Sequence, residues 1–181
     1  MSFRDEINSV LKTPMRVDEE KKQESIKRGK ILAKGDYESL KKCILQRAKQ
    51  GKYIQKEGKK ILIAEFVSPN LKEMLNYIPL SSERYDRQKI EWGCEISISD
   101  CIEFVAYKTE LEQLALKDDI IVNVMCVVEG EIDGAIARHR FLLTETTRKR
   151  ITKSRLKPPY SPYTYGIIPH VHLLLEARIV M

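Results

Sequence analysis

Hydrophobic positions recur at helical spacing through the first third of the chain and at alternate positions in much of the remainder. Phe3, Ile7, Val10 and Leu11 stand at i, i+4, i+7 and i+8. They form one stripe of a short amphipathic helix, and Thr13-Pro14 is expected to end it because the residue before a proline is pushed out of the α region. Asp18 to Lys34 is rich in Glu, Lys, Gln and Arg, all good helix formers, but offers only Ile26, Ile31, Leu32 and Ala33 for burial. The pattern predicts a mainly solvated second helix. Gly35 suits the C′ position after it, and Asp36 the N-cap of a third helix whose stripe of Leu40, Cys43, Ile44 and Ala48 runs to Gly51.

Beyond Gly51 the period shortens to that of strands. Tyr53 to Glu57 and Lys60 to Val67 flank Glu57-Gly58, which suggests a hairpin. Ser68-Pro69 reads as an N-cap followed by proline at the first helical position, with Leu71, Met74, Leu75 and Ile78 repeating at helical spacing until Pro79. Ser81 to Trp92 has no sustained period and is expected to be a loop or a poorly buried helix. Cys94, Ile96 and Ile98 alternate as in a strand. The stretch after them reads two ways, because Cys101 to Tyr107 is rich in β-formers and Thr109-x-x-Glu112 offers a late helix start. Asp100-x-x-Glu103 resembles a cap with a reciprocal acid, which favours a helix over about residues 101 to 117. Ile120 to Glu129, a turn at Asp133-Gly134, Ala135 to Leu143 and a last strand from His170 to Val180 complete the pattern.

Helices first and strands mainly later define an α+β fold, with N-terminal helices followed by a mainly antiparallel sheet that carries helices on one face. The expected organisation is an N-terminal helical segment, 1–52, and an α+β domain, 53–181, in one compact unit. The length of 181 residues, with 43% hydrophobic and 32% charged residues, fits that scale and excludes collagen-like, wholly disordered and long-repeat chains.

Charge sharpens the picture. The net charge is 32 minus 26, or +6. By segment it is +5 over residues 1–50, zero over 51–100, −4 over 101–140 and +5 over 141–181. The excess sits at the two ends. No apolar region of signal-peptide type follows the first residues, and Ile120 to Val128 is only about half of what a membrane span needs. Cys43, Cys94, Cys101 and Cys126 are widely and irregularly spaced, the usage of reduced thiols in a cytoplasmic protein.

The strongest local signal for function is Arg148, Lys149, Arg150, Lys153, Arg155 and Lys157 followed by Tyr160, Tyr163 and Tyr165 in a proline-rich setting, with no acid between Glu145 and Glu176. Cations neutralise phosphates and flat rings stack on unpaired bases, so this composition suits a polyanion or nucleic acid, and equally a protein partner. Its bland counterpart is a solvated connection between two strands. The expected function is a non-enzymatic binding or assembly module that contacts a protein or polyanionic partner through this segment, with the charged N-terminal helices as a second contact or an oligomer interface. No cofactor is expected.

One alternative is a metal-dependent hydrolase or oxygenase. His170 and His172 share one face of the last strand with Glu176, and His139 from the preceding strand region would add a third nitrogen for zinc or iron. Ordinary surface or partly buried histidines are the simpler explanation. Glu129, Glu131 and Asp133 lack calcium-loop spacing and read as a solvated turn, and Asp118-Asp119 as a loop. No glycine-rich phosphate-binding fingerprint occurs.

Overall fold

One helix, α1 (Phe3–Lys49), replaces the three expected from the local pattern. It opens the chain in a computed structural model that describes residues 3–75, 77–83, 90–98, 101–132, 135–143, 146–153 and 170–181. Pro14 does not end it. A proline removes a single i→i−4 bond, a local cost that a helix continuing on both sides can carry. Gly35 and Asp36 do not punctuate it either, because Ala33, Tyr37, Leu40 and Ile44 form an uninterrupted buried stripe across them. Burial of that stripe outweighs the weak breaker at Gly35. The end at Gly51 is as expected: with φ +64 its N–H donates to the Ala48 carbonyl at 3.0 Å.

The hairpin of β1 (Ile54–Lys56) and β2 (Lys59–Val67) closes through Glu57 at φ 52 and Gly58 at φ 76. Positive φ at both positions is the two-residue turn that matches strand twist. Glutamate is a poor occupant of that conformation. Glu57→Asn is expected to raise the unfolding free energy by roughly 0.5–1 kcal/mol, since Asn tolerates the left-handed region, and a urea titration checks it.

Ser68 caps α2 (Pro69–Met74), its Oγ accepting from the backbone N–H groups of Asn70 at 3.1 Å and Leu71 at 3.4 Å. The helix stops there. Ile78, expected to extend it, and Pro79, expected to end it, lie instead in β3 (Tyr77–Glu83), which pairs with β4 (Ile90–Ser97). Much of the segment expected to be a loop or helix, Ser81 to Trp92, is therefore strand. Among the described residues β3 lies at a sheet edge, where a proline's missing donor is tolerated. The helix favoured after Ile98 is present as α3 (Ile102–Lys117), but its N-cap is Cys101 with no side-chain cap bond, and Asp100 lies outside the described residues. The Cys101 thiol donates to the Met74 carbonyl at 2.9 Å.

β5 (Ile121–Ile132), β6 (Ala135–Leu142) and β8 (His170–Val180) follow the predicted strands closely, and the turn at Asp133-Gly134 lies outside the described residues. β7 (Thr146–Lys153) was not expected. The strands form two sheets with every pairing antiparallel, one ordered β1-β2-β8-β5-β6 and one ordered β3-β4-β7. The result is the expected α+β class, with helices over one face of the larger sheet. Leu62, Ala64, Val124, Cys126, Val128, Leu173, Leu175 and Ala177 from that face join the α1 stripe and Phe104, Tyr107 and Leu111 of α3 in one core, which Ile96 and Ile98 also enter. Among the described residues no helix is long and apolar enough to cross a membrane.

Polar links at Asp36 and Tyr37 tie the helices to one another. Asp36, only 4% exposed and sited mid-helix in α1, accepts from Ser68 Oγ, from Asn70 Nδ2 at 2.8 Å and from the Tyr107 hydroxyl at 2.7 Å. One carboxylate therefore joins α1, the start of α2 and α3. Burial and the bond to Asp36 push the Tyr107 phenol well above its ordinary pKa. At the far end of α3, the Tyr37 hydroxyl donates to Asp118 at 2.7 Å, and burial followed by that bond raises its pKa as well. Gly29 serves the same contact sterically: a Cβ there would collide with the Glu103 carbonyl oxygen and lie 3.1 Å from the Tyr107 backbone nitrogen. The two helices meet backbone to backbone.

Candidate functional site: a cationic edge strand and a charged sheet face

Arg148, Lys149, Arg150 and Lys153 belong to β7, so this part of the expected loop is strand. Thr146, Thr147, Ile151 and Thr152 supply the β-branched residues that suit a strand, and β4 supplies the pairing, with Arg148 opposite Glu95, Lys149 opposite Cys94, Arg150 opposite Gly93 and Lys153 opposite Ile90. β7 is an edge, paired on one side only among the described residues. Four of its eight residues are cations and none is an acid. Arg155, Lys157, Tyr160, Tyr163 and Tyr165 lie outside the described residues.

The larger sheet carries its own charged constellation on the face turned away from the core. Register places Val67, Leu174, Met125 and Leu142 side by side across four strands. This apolar ladder is flanked by ionic rows. On one side Glu65 stands directly opposite Glu176, an arrangement of like charges that costs stability unless it is neutralised. Arg140 neutralises it, reaching Glu65 Oε1 at 2.5 Å with Nη1 and Glu176 Oε2 at 2.8 Å with Nη2, and Arg178 Nε donates to Glu176 Oε1 at 2.6 Å. Glu176 is 3% exposed on a central strand, and two guanidinium groups compensate its burial. Arg140 itself pairs with Val127. Its aliphatic stem therefore crosses the ladder, covering apolar surface while its head joins the acids.

On the other side Arg138 donates to Glu129 at 2.5 Å and His172 Nε2 stands 3.4 Å from Glu129 Oε2. Burial acts to raise the Glu129 pKa, but the bond and charge of Arg138 together with His172 outweigh it and hold the carboxyl below its usual value.

The histidines divide between the faces. His170 and His172 share the charged face with Glu129 and Glu176, whereas His139 pairs with Val128 and alternates with Arg138 and Arg140, which puts it on the opposite face. The structure does not bring the three imidazoles together. Among the described residues no group of three or more His, Cys, Asp or Glu is arranged to hold a metal. Glu176, considered as a ligand, is an ion-pair partner of two arginines.

The charged face and Asp36 are what pattern reading missed. Glu176 did carry a signal: it is one acid in a run otherwise apolar from Leu173 to Ala177, which marks a buried charge in need of a cation. No protein-family model, curated protein or solved structure matches this chain.

Proposed function

We propose that the protein is a cytoplasmic binding or assembly module, not an enzyme, which engages a negatively charged partner along β7 and the segment that follows it. The observation that carries this reading is the position of the cations. Four of them occupy a strand that is at the edge of its sheet among the described residues, where backbone groups and positive charge can be offered together. An extended acidic chain or a phosphate backbone answers both features. The carboxylates and guanidinium groups of the larger sheet, by contrast, are spent on one another and fit a structural role.

The test uses two fluorescent probes, a single-stranded oligonucleotide and a polyglutamate peptide, titrated with the full chain at several salt concentrations. At least one should bind, with an affinity that falls as salt rises. Replacing Arg148, Lys149 and Arg150 with alanine should weaken that binding by at least about tenfold and reduce the oligonucleotide salt slope by about 2, the contribution of three phosphate contacts. Equal affinity in the variant, or no binding of either probe by the natural chain, would sink the proposal. The probe that binds tells nucleic acid from acidic protein.

A further inference from the structure

We propose that the outer face of α1 from Ile31 to Leu45 is a self-association surface, on which a second copy of this chain packs antiparallel with Leu45 of each copy seated over Gly35 of the other. The inference stands on α1 alone and does not depend on the role of β7.

The first observation is Gly35. Glycine in a helix interior costs about 1 kcal/mol relative to alanine, and no contact among the described residues requires it here. A Cβ at Gly35 would meet no atom within 4 Å, whereas the Cβ of Gly29 would strike α3. One glycine is explained by an intramolecular contact and the other is not.

The second observation is what surrounds it. Ile31 is 59% exposed and Leu45 60% exposed, an apolar pair on a helix whose opposite side already supplies the core. Ile31, Gly35, Glu38, Lys42 and Leu45 are spaced by four, three, four and three residues, and all five are exposed. That is a helix-pairing seam, directly opposite the buried Ala33, Tyr37, Leu40 and Ile44.

The third observation selects the occupant. An antiparallel pairing that sets Leu45 of one copy against Gly35 of the other also sets Glu38 against Lys42, and the two-fold axis repeats each contact. The seam is complementary to itself in shape and in charge. Glu38 already holds Lys41 of its own helix at 2.6 Å, so its carboxylate is positioned to take a second cation. A contact of three or four helical turns lies at the small end of specific interfaces, and the dimer is therefore concentration-dependent.

Sedimentation equilibrium of the full chain, from low micromolar to several hundred micromolar, tests this directly. The natural chain is expected to show a reversible monomer–dimer equilibrium. Gly35→Leu fills the gap and should weaken it at least about tenfold, while thermal unfolding of the variant monomer moves upward because leucine favours the helix. Glu38→Lys and Lys42→Glu should each weaken dimerisation, and the double exchange should restore it. A chain that stays monomeric throughout overturns the proposal. So does a dimer indifferent to Gly35→Leu, or a double exchange no tighter than the single ones.

Discussion

Asp36→Ala is expected to lower the unfolding free energy by about 3–5 kcal/mol, the cost of breaking a buried charged network by removing its centre. The reason is what the substitution leaves behind. Ser68 Oγ, Asn70 Nδ2 and the Tyr107 hydroxyl all donate to this one carboxylate, and the Ser68 oxygen is already occupied in accepting from two backbone N–H groups at the start of α2. Without Asp36 the Tyr107 hydroxyl stays buried with its donor unmet, and the α2 cap loses its anchor. Asp36→Asn should cost less, since the hydroxyls can rotate to accept from an amide, but it loses the strength that a charged acceptor gives. Tyr107→Phe should cost about 1–2 kcal/mol, and its effect should shrink in the Asp36→Ala background because the two residues share one interaction. Urea titrations of the two single variants and the double variant measure all three values. An Asp36→Ala cost below about 1 kcal/mol would mean that the carboxylate does not organise the three helices.

The same substitution at two glycines of α1 should have opposite signs. Gly29→Ala is expected to destabilise by about 1–3 kcal/mol, the usual cost of overpacking, even though alanine is the better helix former. The new methyl meets backbone atoms of Glu103 and Tyr107, which cannot rotate away as a side chain can. α1 and α3 must then separate, which strains the Asp36–Tyr107 bond. Gly35→Ala, where the space is open, should stabilise dilute protein by about 0.5–1 kcal/mol. Parallel thermal melts of both variants check the pair. A gain of stability at Gly29 would show that the close contact between the helices is not what that glycine serves.

These two glycines illustrate how much of the fold was legible beforehand. Where a residue's own neighbours decide its conformation, reading the pattern worked. The β-forming apolar runs in Ile121 to Ile132 and His170 to Val180, the Glu57-Gly58 turn and the Ser68-Pro69 start of α2 all record local chemistry. Where a distant contact decides, it did not. Gly35 and Asp36 look like helix boundaries until the stripe through Ala33, Tyr37, Leu40 and Ile44 is seen to join the common core. β3 and β7 have little alternation of their own and become strands by pairing on either side of β4. The candidate site divides in the same way. The six cations of the basic segment stand out by composition alone, whereas the bridge from Arg140 to Glu65 and Glu176 depends on register between strands far apart in the chain.

Register also bears on the order in which the molecule can be assembled. β8 lies at the middle of the larger sheet, between β2 and β5, and pairs Ile61 with Val180 across more than a hundred residues. The hairpins β1-β2 and β5-β6 can each close early from neighbouring residues, but the edges they turn toward one another have no mate until β8 is available. During synthesis on the ribosome both edges, and the apolar residues behind them, must wait for the last strand to emerge. Such long closures slow folding. The nascent chain therefore passes through a stage with two open edges, the state in which it is most exposed to mispairing with other chains.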